Sequence, residues 1–416
     1  MAPTEVKNRR KRRILSGITT NVLALGVVSL LTDMSSEMIY PLLPFFLLSI
    51  GATATIIGLI EGAAESTASF LKVVSGWYSD RYRRRRPFVV GGYTGSSLVK
   101  PFLYLVTAPW HVLAWRVAER VGKGVRSAPR DALIADSTAC DVRGKAFGFH
   151  KMMDSVGAVA GPLLALAILL YAASVSMGEP DNYRLVFLLA PIPAFVGVVV
   201  ILLYVREREG DARRREGRFL KDMQLLGRPF WLLLMVVLVF YAGALSWAFF
   251  LMRAEYAGST VVESVIMYVI LNVTYVLVPM PAGVLSDRIG RKPLVMLSMV
   301  LFMLSCAIMA LSDSTLLFVV GFVAYGAYLG TSEGVLKAYV VDVVSHDLRG
   351  TALGTLHTAQ GFVMLPGGIM AGLLWDTVGY WATFAYGIGM AVVALIVLAF
   401  ACPEERGPAR ALGSGQ

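Results

Sequence analysis

Two carboxylates stand four residues apart inside the first long apolar stretch of the chain. Asp33 and Glu37 lie in the segment LTDMSSEMIYPLLPFF, residues 31–46. Residues at this spacing share one face of a helix, and an ionised side chain at the bilayer centre costs about 2.5–3.5 kcal/mol on insertion scales. A carboxylate that loses its cationic partner in a dry environment is easier to protonate. We therefore predict a proton-coupling site at Asp33, Glu37 and Asp154, with Tyr40 as a nearby hydrogen-bond donor.

Cations at helical spacing are the expected partners of these acids. Arg116, Arg120 and Lys123 form a basic stripe on one predicted helix, and His150 lies four residues before Asp154. Two interpretations of the stripe stay open: it contacts a substrate, or it only neutralises neighbouring carboxylates. The candidates for substrate contact combine charged groups with aromatic rings that suit an organic compound. They are Tyr40, Arg116, Arg120, Lys123, His150, Trp247, Tyr325 and Glu333.

Composition identifies the elements that must carry these residues. Of the 416 residues, 56% are hydrophobic and 16% are charged, and the mean hydropathy is +0.66. These values lie outside the usual range of soluble domains. Runs of about 20 apolar residues cross a membrane as helices, because the backbone in lipid must satisfy its own hydrogen bonds. The sequence predicts an all-α membrane protein with 12 transmembrane helices. The predicted spans, numbered 1 to 12, are 17–49, 55–79, 87–107, 110–132, 144–172, 184–205, 229–252, 261–285, 293–311, 315–341, 350–375 and 379–401.

Lysine and arginine are concentrated in alternate connections between the predicted spans. The net charge is +10, and basic segments include KNRRKRR near the N-terminus, RYRRRR at 81–86 and DRIGRK at 287–292. By the positive-inside rule, both termini are expected in the cytoplasm, with the chain in the cell's inner (plasma) membrane. Nucleic-acid binding is a much weaker explanation, because the charges follow the membrane topology. The three cysteines are scattered and predict neither a disulfide framework nor a metal knuckle.

The chain contains an internal repeat. GWYSDRYRRRRPFVV starts at Gly76 and GVLSDRIGRKPLVM at Gly283, while ADSTACDVRGKAFG at 135–148 matches VDVVSHDLRGTALG at 341–354. Both matches have an offset of 206 or 207 residues. This repeat predicts two six-helix bundles related by a pseudo-twofold axis along the membrane normal. The expected units are an N-terminal bundle, a cytoplasmic linker, a C-terminal bundle and a cytoplasmic tail, at 1–205, 206–228, 229–402 and 403–416.

These repeated loops resemble the loop signature of the major facilitator superfamily, G-x-x-x-D-R-x-G-R-[RK], and the resemblance covers essentially the whole chain. The second copy, 283–292, matches the signature fully. In the first copy, Arg83 stands where the family has glycine, which puts a left-handed turn there in doubt. On this alignment the remaining signature positions of the first copy are Gly76, Asp80, Arg81, Arg84 and Arg85.

Span 5 resembles the antiporter motif of that family, G-x8-G-x3-G-P-x2-G. Gly148, Gly157, Gly161 and Pro162 stand at its spacings, and Ala165 replaces the last glycine. Small residues let membrane helices approach closely. In the resembling exporters this segment seals the interface between the halves, so the resemblance implies export. The gate residues that it implies are Asp80, Arg81, Asp287, Arg288, Gly157, Gly161 and Pro162.

The sequence does not favour an enzyme or an ATP-driven pump. It has no Walker loop, no H-E-x-x-H spacing and no G-x-S-x-G elbow, and we expect no cofactor. We predict a monomeric secondary transporter in the lipid bilayer that works by alternating access. Its predicted activity is the proton-coupled export of a small organic molecule, such as a drug, siderophore or metabolite. Two alternatives stay open: an organic-anion transporter that uses the basic stripe of span 4, and a divalent-metal exporter that uses Asp, Glu and His of spans 1 and 5.

Overall fold

The structure is a computed structural model that describes residues 18–82, 84–139, 142–207 and 219–401. Every regular element in these ranges is helical, which confirms the all-α prediction. The helices form twelve rods that correspond to the predicted spans and keep their numbers. Spans 1 to 12 are Thr20–Ser49, Ala54–Tyr82, 86–105, Pro109–Asp136, Arg143–Ser174, Asp181–Tyr204, Arg228–Tyr256, 261–289, Arg291–Leu311, Thr315–Asp342, Arg349–Thr377 and Tyr380–Ala401.

In the described ranges, eight of these spans are long and apolar enough to cross a membrane. Span 8 makes a ninth if its two parts, Val261–Leu277 and Pro279–Ile289, are taken together across their 42° bend. Span 3 is a shorter helix, Arg86–Val99, that tightens into the 3-10 turn Lys100–Leu105. Spans 2 and 4 carry many charged residues. The least apolar spans are therefore those that bring ionisable side chains into the interior.

Spans 1 and 7 are interrupted near their ends. The 3-10 turn Tyr40–Leu42 interrupts span 1, where Pro41 has no N–H to donate. Span 7 divides into Arg228–Gly243 and Trp247–Tyr256, and the Ser246 side chain caps the second part by accepting a backbone hydrogen bond of 3.3 Å. Both interruptions place aromatic side chains between the two halves.

Two equivalent ion pairs show the internal repeat in three dimensions. Arg85 Nε lies 2.8 Å from Asp136 Oδ2, and Arg291 Nε lies 3.2 Å from Asp342 Oδ2. The two pairs are separated by 206 residues, which is one of the offsets found in the sequence. Each pair joins the beginning of one span to the end of the next, so the two halves repeat the same contact.

These pairs also correct our alignment of the first loop. We expected Arg84 to match Arg291, but Arg85 makes the equivalent ion pair, so the first loop is one residue longer than the second. Gly290 in the second loop has a φ of +100°, a conformation that favours glycine. Arg83, which we aligned with Gly290, lies outside the described residues.

The two ends of the helix bundle are distinct. We call the end that holds the connections after spans 2, 4, 6, 8 and 10 the basic side, and the other end the opposite side. On the basic side, the Glu207 carboxylate accepts hydrogen bonds of 2.9 Å from the N–H groups of Arg85 and the next residue. The Asn21 amide donates to Ser137 Oγ (3.0 Å) and to the carbonyl of Arg206 (2.9 Å). These bonds tie the beginning of span 1 to the ends of spans 4 and 6.

The halves meet along two pairs of helices, span 2 with span 11 and span 5 with span 8. Span 2 approaches span 11 so closely that a Cβ on Gly58 would collide with the carbonyl oxygen of Gly368. Between spans 5 and 8, Asn272 Nδ2 donates to the carbonyl of Ala158 at 3.1 Å. The functional side chains described next lie between these two contacts.

Candidate functional site

Three carboxylates share two arginines in the interior of the N-terminal half. Arg116 Nη2 lies 3.1 Å from Glu61 Oε1, and Arg120 Nη2 lies 2.9 Å from Glu65 Oε1. Between them, Glu119 Oε2 is 3.8 Å from Arg116 Nη1 and 3.7 Å from Arg120 Nε. We call these five residues the arginine cluster. Each arginine therefore lies between Glu119 and one carboxylate of span 2, and removing either arginine would leave a buried charge uncompensated.

The ring of Tyr40 covers the arginine cluster. Its centroid lies 4.1 Å from Cζ of Arg116 and 5.2 Å from Cζ of Arg120, distances at which a cation is attracted to an aromatic face. The Tyr40 hydroxyl donates to Glu119 Oε2 at 3.2 Å. On its other side, Tyr40 stacks on Trp247 of the C-terminal half, with centroids 6.4 Å apart. Tyr40 therefore connects the cluster to the other half.

Glu37 receives a hydrogen bond from a neutral donor in the C-terminal half. Tyr268 Oη donates to Glu37 Oε2 at 2.9 Å, and the Tyr268 ring packs against Trp247 with centroids 5.2 Å apart. Among the described residues, no cationic group lies within 4.0 Å of the carboxylate of Asp33 or Glu37. The arginines of the basic stripe pair with span 2 instead, because span 2 lies directly against span 4.

Asp154 lies at the contact between spans 1 and 5. Its carboxylate accepts a hydrogen bond from the Ser29 hydroxyl, and its Oδ2 is 3.7 Å from His150 Nδ1. His150 is buried, and within the described part of the chain its Nε2 has no hydrogen-bond partner. Ser29 precedes Asp33 by one helical turn, and Glu37 follows by another. The three carboxylates that we predicted to couple protons therefore lie in a row along span 1.

A cavity of about 330 Å³ separates the halves toward the basic side. Spans 2, 4, 7, 10 and 11 line it. The Glu333 side chain is 55% exposed, so the cavity is open to solvent. Of the predicted substrate contacts, Lys123 and Glu333 line this cavity. Its charged and imidazole side chains are Glu65, Lys72, Lys123, Glu333, Lys337 and His357.

Glu333 is bound on both carboxylate oxygens. Lys337 Nζ lies 2.8 Å from Oε1, and the Tyr275 hydroxyl donates to Oε2 at 2.6 Å. Lys151 of span 5 donates to the same hydroxyl at 3.3 Å. This carboxylate is therefore neutralised by its own lysine and is connected to the N-terminal half through a tyrosine.

Tyr325, another predicted substrate contact, makes a backbone contact instead. Its hydroxyl donates to the carbonyl of Leu245 at 2.9 Å, at the interruption of span 7. Its ring packs against Phe250, with centroids 4.5 Å apart. Tyr325 therefore stabilises the shape of span 7 and does not line the cavity.

Two polar residues of the interior were not found from the sequence. Tyr268 is separated from Glu37 by 231 residues, and its own neighbourhood in the sequence gives no indication of that contact. Lys100 is fully buried, and its Nζ donates to the hydroxyls of Ser35 (2.8 Å) and Ser36 (2.9 Å) on span 1. A single lysine inside apolar span 3 was the signal that could have identified it.

The same interior side chains also bear on the divalent-metal alternative. Among the residues that the structure describes, no three His, Cys, Asp or Glu side chains are grouped so that they could hold a metal ion. His150 and Asp154 are neighbours, but His357 lies in the cavity with Lys72 and Lys337. The described residues therefore give the divalent-metal alternative no support.

The sequence and fold match those of known membrane transporters. The family model described as Major Facilitator Superfamily matches residues 25–275 and 265–415. The chain belongs to the major facilitator superfamily. An uncharacterized MFS-type transporter of Methanocaldococcus jannaschii is 33% identical over 400 residues, which are 95% of this chain and 97% of that protein. The class H tetracycline resistance protein of Pasteurella multocida is 21% identical over 399 residues, 91% of this chain and 95% of that protein.

A solved structure shows the same fold. The crystal structure of the nucleoside transporter NupG superposes with a TM-score of 0.76 at 15% sequence identity, covering 91% of this chain and 98% of that one. The predicted family and the twelve-helix, two-bundle fold are therefore confirmed. The chain is a multi-pass membrane transporter of the major facilitator superfamily.

The loop-signature residues of this major facilitator lie on the basic side. Asp287 Oδ1 is 2.5 Å from Arg291 Nη1, and Arg291 also binds the end of span 10. Arg81 lies over a neighbouring tryptophan ring, with Cζ 5.2 Å from the centroid. Arg288 borders a shallow apolar surface pocket on span 8. The Asp80 side chain lies outside the described residues. The role of these residues as a gate stays a prediction.

The glycines of span 5 pack against span 1. A Cβ on Gly157 would lie 2.5 Å from the Leu30 carbonyl oxygen, and one on Gly161 would lie 2.5 Å from that of Met34. Pro162 follows directly inside the helix. These glycines bring span 5 onto the helix face that carries the predicted proton-coupling acids. The halves meet on another face of span 5, where Ala158 accepts the hydrogen bond from span 8.

Proposed function

We propose that this transporter exports a small organic molecule in exchange for protons. The observation that carries the proposal is the state of Asp33 and Glu37. Both lie in the interior part of span 1, and among the described residues neither has a cation within 4.0 Å. Glu37 is bound instead by the neutral hydroxyl of Tyr268 in the other half. Intramembrane carboxylates without a permanent counter-ion are typical of proton relays.

Proton uptake by Glu37 changes the contact between the halves. An ionised carboxylate accepts a charge-assisted hydrogen bond from Tyr268, and such bonds are about twice as strong as neutral ones. Protonation removes the charge and weakens this connection. Asp33 and Asp154 lie along the same contact of spans 1 and 5, so they extend the path for the proton.

The cavity supports transport by alternating access. It lies between the halves toward the basic side, while Tyr40 and Trp247 meet nearer the opposite side. Because basic connections stay in the cytoplasm, this arrangement corresponds to a cytoplasm-facing state with both termini in the cytoplasm. The cavity would then load its cargo from inside the cell. The similarity to the Pasteurella tetracycline resistance protein supports an organic cargo.

Flux in proteoliposomes tests the proposal. A panel of organic compounds that includes tetracycline is ranked by thermal stabilisation of the purified protein, and the strongest stabiliser is followed under an imposed pH gradient. We expect flux to follow the gradient in the wild type and to lose that dependence in Glu37→Gln and Asp33→Asn. Asp181→Asn is the matched control, because Asp181 is 69% exposed and pairs only locally with Arg184 at 3.4 Å. Wild-type flux that is the same with and without the pH gradient would show that the proposal is wrong. Flux in Glu37→Gln that follows the gradient as in the wild type would do the same.

A further inference from the structure

The geometry points to Lys72 and Lys123 as a binding site for an organic anion that carries a carboxylate. This inference rests on the proposed function, since it names the substrate class of the same transporter. Lys72 of span 2 and Lys123 of span 4 both line the cavity between the halves. Among the described residues, neither ammonium group has a carboxylate within 4.0 Å or a hydrogen-bond acceptor within 3.5 Å.

The other charges of the cavity wall already have partners. Glu65 is bound by Arg120 at 2.9 Å, and Glu333 is bound by Lys337 at 2.8 Å. The arginine cluster divides two guanidinium groups among three carboxylates, so it has no positive charge left for a ligand. Of the basic stripe predicted on span 4, only Lys123 therefore has no carboxylate partner among the described residues, and Lys72 lines the same cavity.

An anion would relieve the cost of these two ammonium groups. A charge withdrawn from bulk water without a partner is unfavourable, and a carboxylate supplies both opposite charge and hydrogen-bond acceptors. The two lysines both belong to the N-terminal half. The larger apolar side chains of the cavity wall, Leu336, Leu356 and Met364, belong to the C-terminal half.

The arrangement therefore fits an amphipathic anion that bridges the halves. Its carboxylate would lie on the lysines of spans 2 and 4, and its hydrocarbon body would lie against spans 10 and 11. A ligand that contacts both halves binds one arrangement of the halves better than the other, which is what a transported substrate must do. The anion class is thus compatible with alternating access.

Binding to a matched series of naphthalene compounds tests the inference. 2-Naphthoate, 2,6-naphthalenedicarboxylate, 2-naphthamide and 2-naphthylmethylammonium are titrated against the purified wild-type protein by calorimetry, without a pH gradient. We expect both carboxylates to bind, and the amide and the ammonium compound to bind about tenfold more weakly or not at all. Lys72→Gln and Lys123→Gln should each lower the affinity for 2-naphthoate about tenfold, whereas Lys72→Arg and Lys123→Arg should retain most of it. Arg184→Gln, on the opposite side, is the control.

The outcomes separate this inference from the proposed function. Equal affinity for the amide and the carboxylates, no binding of any carboxylate, or full affinity in both lysine-to-glutamine variants would overturn it. The arginine variants guard against a purely structural effect, because they restore the charge while changing the shape. If carboxylates bind through the lysines but flux ignores the pH gradient, proton coupling is wrong and the anion site stands. If flux follows the gradient but carboxylates do not bind, the anion site is wrong and proton coupling stands.

Discussion

Asp376 at the end of span 11 caps the first turn of span 2, and its removal should loosen the opposite side. Its Oδ1 accepts a hydrogen bond from the N–H of Ala54 (3.1 Å), and its Oδ2 accepts from the N–H (2.9 Å) and the hydroxyl (2.6 Å) of Thr55. The first N–H groups of a helix have no partner within that helix and attract a negative charge. Because the carboxylate and the helix belong to different halves, this cap holds only while the halves are closed at the opposite side.

The size of the effect follows from the cost of a lost cap. Replacing a capping residue by alanine costs about 0.5–2 kcal/mol. Asp376 is exposed, so water replaces part of the lost interaction and we take about 1 kcal/mol. This value changes the ratio of closed to open molecules about fivefold. Asp376→Asn should have a smaller effect than Asp376→Ala, since asparagine caps helices nearly as well as aspartate.

Pulsed electron–electron distance measurements test this prediction. Spin labels at Ser174 and Ser314, two exposed positions on the opposite side of different halves, report how far the halves are apart. We expect Asp376→Ala to enlarge the long-distance population about fivefold. The control is Glu263→Ala, because Glu263 closes a capping box with Thr260 inside the C-terminal half. No change in Asp376→Ala, or an equal change in Glu263→Ala, would refute the reasoning.

Three further predictions concern the interior. Arg116→Met should lower the free energy of unfolding by about 3–5 kcal/mol, because it leaves buried carboxylates uncompensated. Adding Glu61→Met should recover part of this loss. An unchanged melting temperature in Arg116→Met would contradict the ion-pair argument. Gly161→Val should lower the free energy of unfolding by about 1–3 kcal/mol, because the new Cβ would lie 2.5 Å from a carbonyl oxygen of span 1. Thermal unfolding measures this change, and a variant as stable as the wild type would show that spans 1 and 5 separate easily. Tyr268→Phe removes the donor to Glu37, a bond worth about 1.5–3 kcal/mol. It should lower flux about tenfold and the free energy of unfolding by no more than about 3 kcal/mol, and normal flux would show that this bond has no part in the transport cycle.

Contacts with a short separation in the sequence were predictable. The helical spacing of Glu333 and Lys337 indicated their ion pair, and the spacing of His150 and Asp154 placed these two side chains together. The internal repeat predicted the two halves, because two matches at offsets of 206 and 207 residues can be recognised without any knowledge of packing. Within the described residues, eight of the twelve spans follow from the length of their apolar runs, whereas spans 2 and 4 carry many charged residues.

Contacts between distant spans were not predictable from one sequence. Spacing showed that Arg116 and Arg120 share a face, but not which neighbouring helix that face contacts. The partners are Glu61 and Glu65 of span 2. The cap at Asp376 depends on the closeness of span 11 to span 2, which is fixed by how the whole bundle is assembled.

The repeat also allows equivalent positions of the two halves to be compared at the site. Tyr40 and Trp247 are 207 residues apart, the same offset as Gly76 and Gly283, and they stack on each other. Residues close to a twofold axis meet their own copies, so this stack marks the pseudo-axis of the transporter.

At the same offset, Glu61 of the first half corresponds to Tyr268 of the second. Glu61 pairs with Arg116 inside its own half, whereas Tyr268 reaches across to Glu37. At this pair of positions the two copies have therefore diverged into a carboxylate and a tyrosine. Because the second half offers Glu37 a hydroxyl and not a cation, protonation of that carboxylate breaks no ion pair and changes the charge on only one side of the interface. In the proposed cycle, a proton would then loosen the contact between the halves without first separating opposite charges in a dry interior, which would cost several kcal/mol.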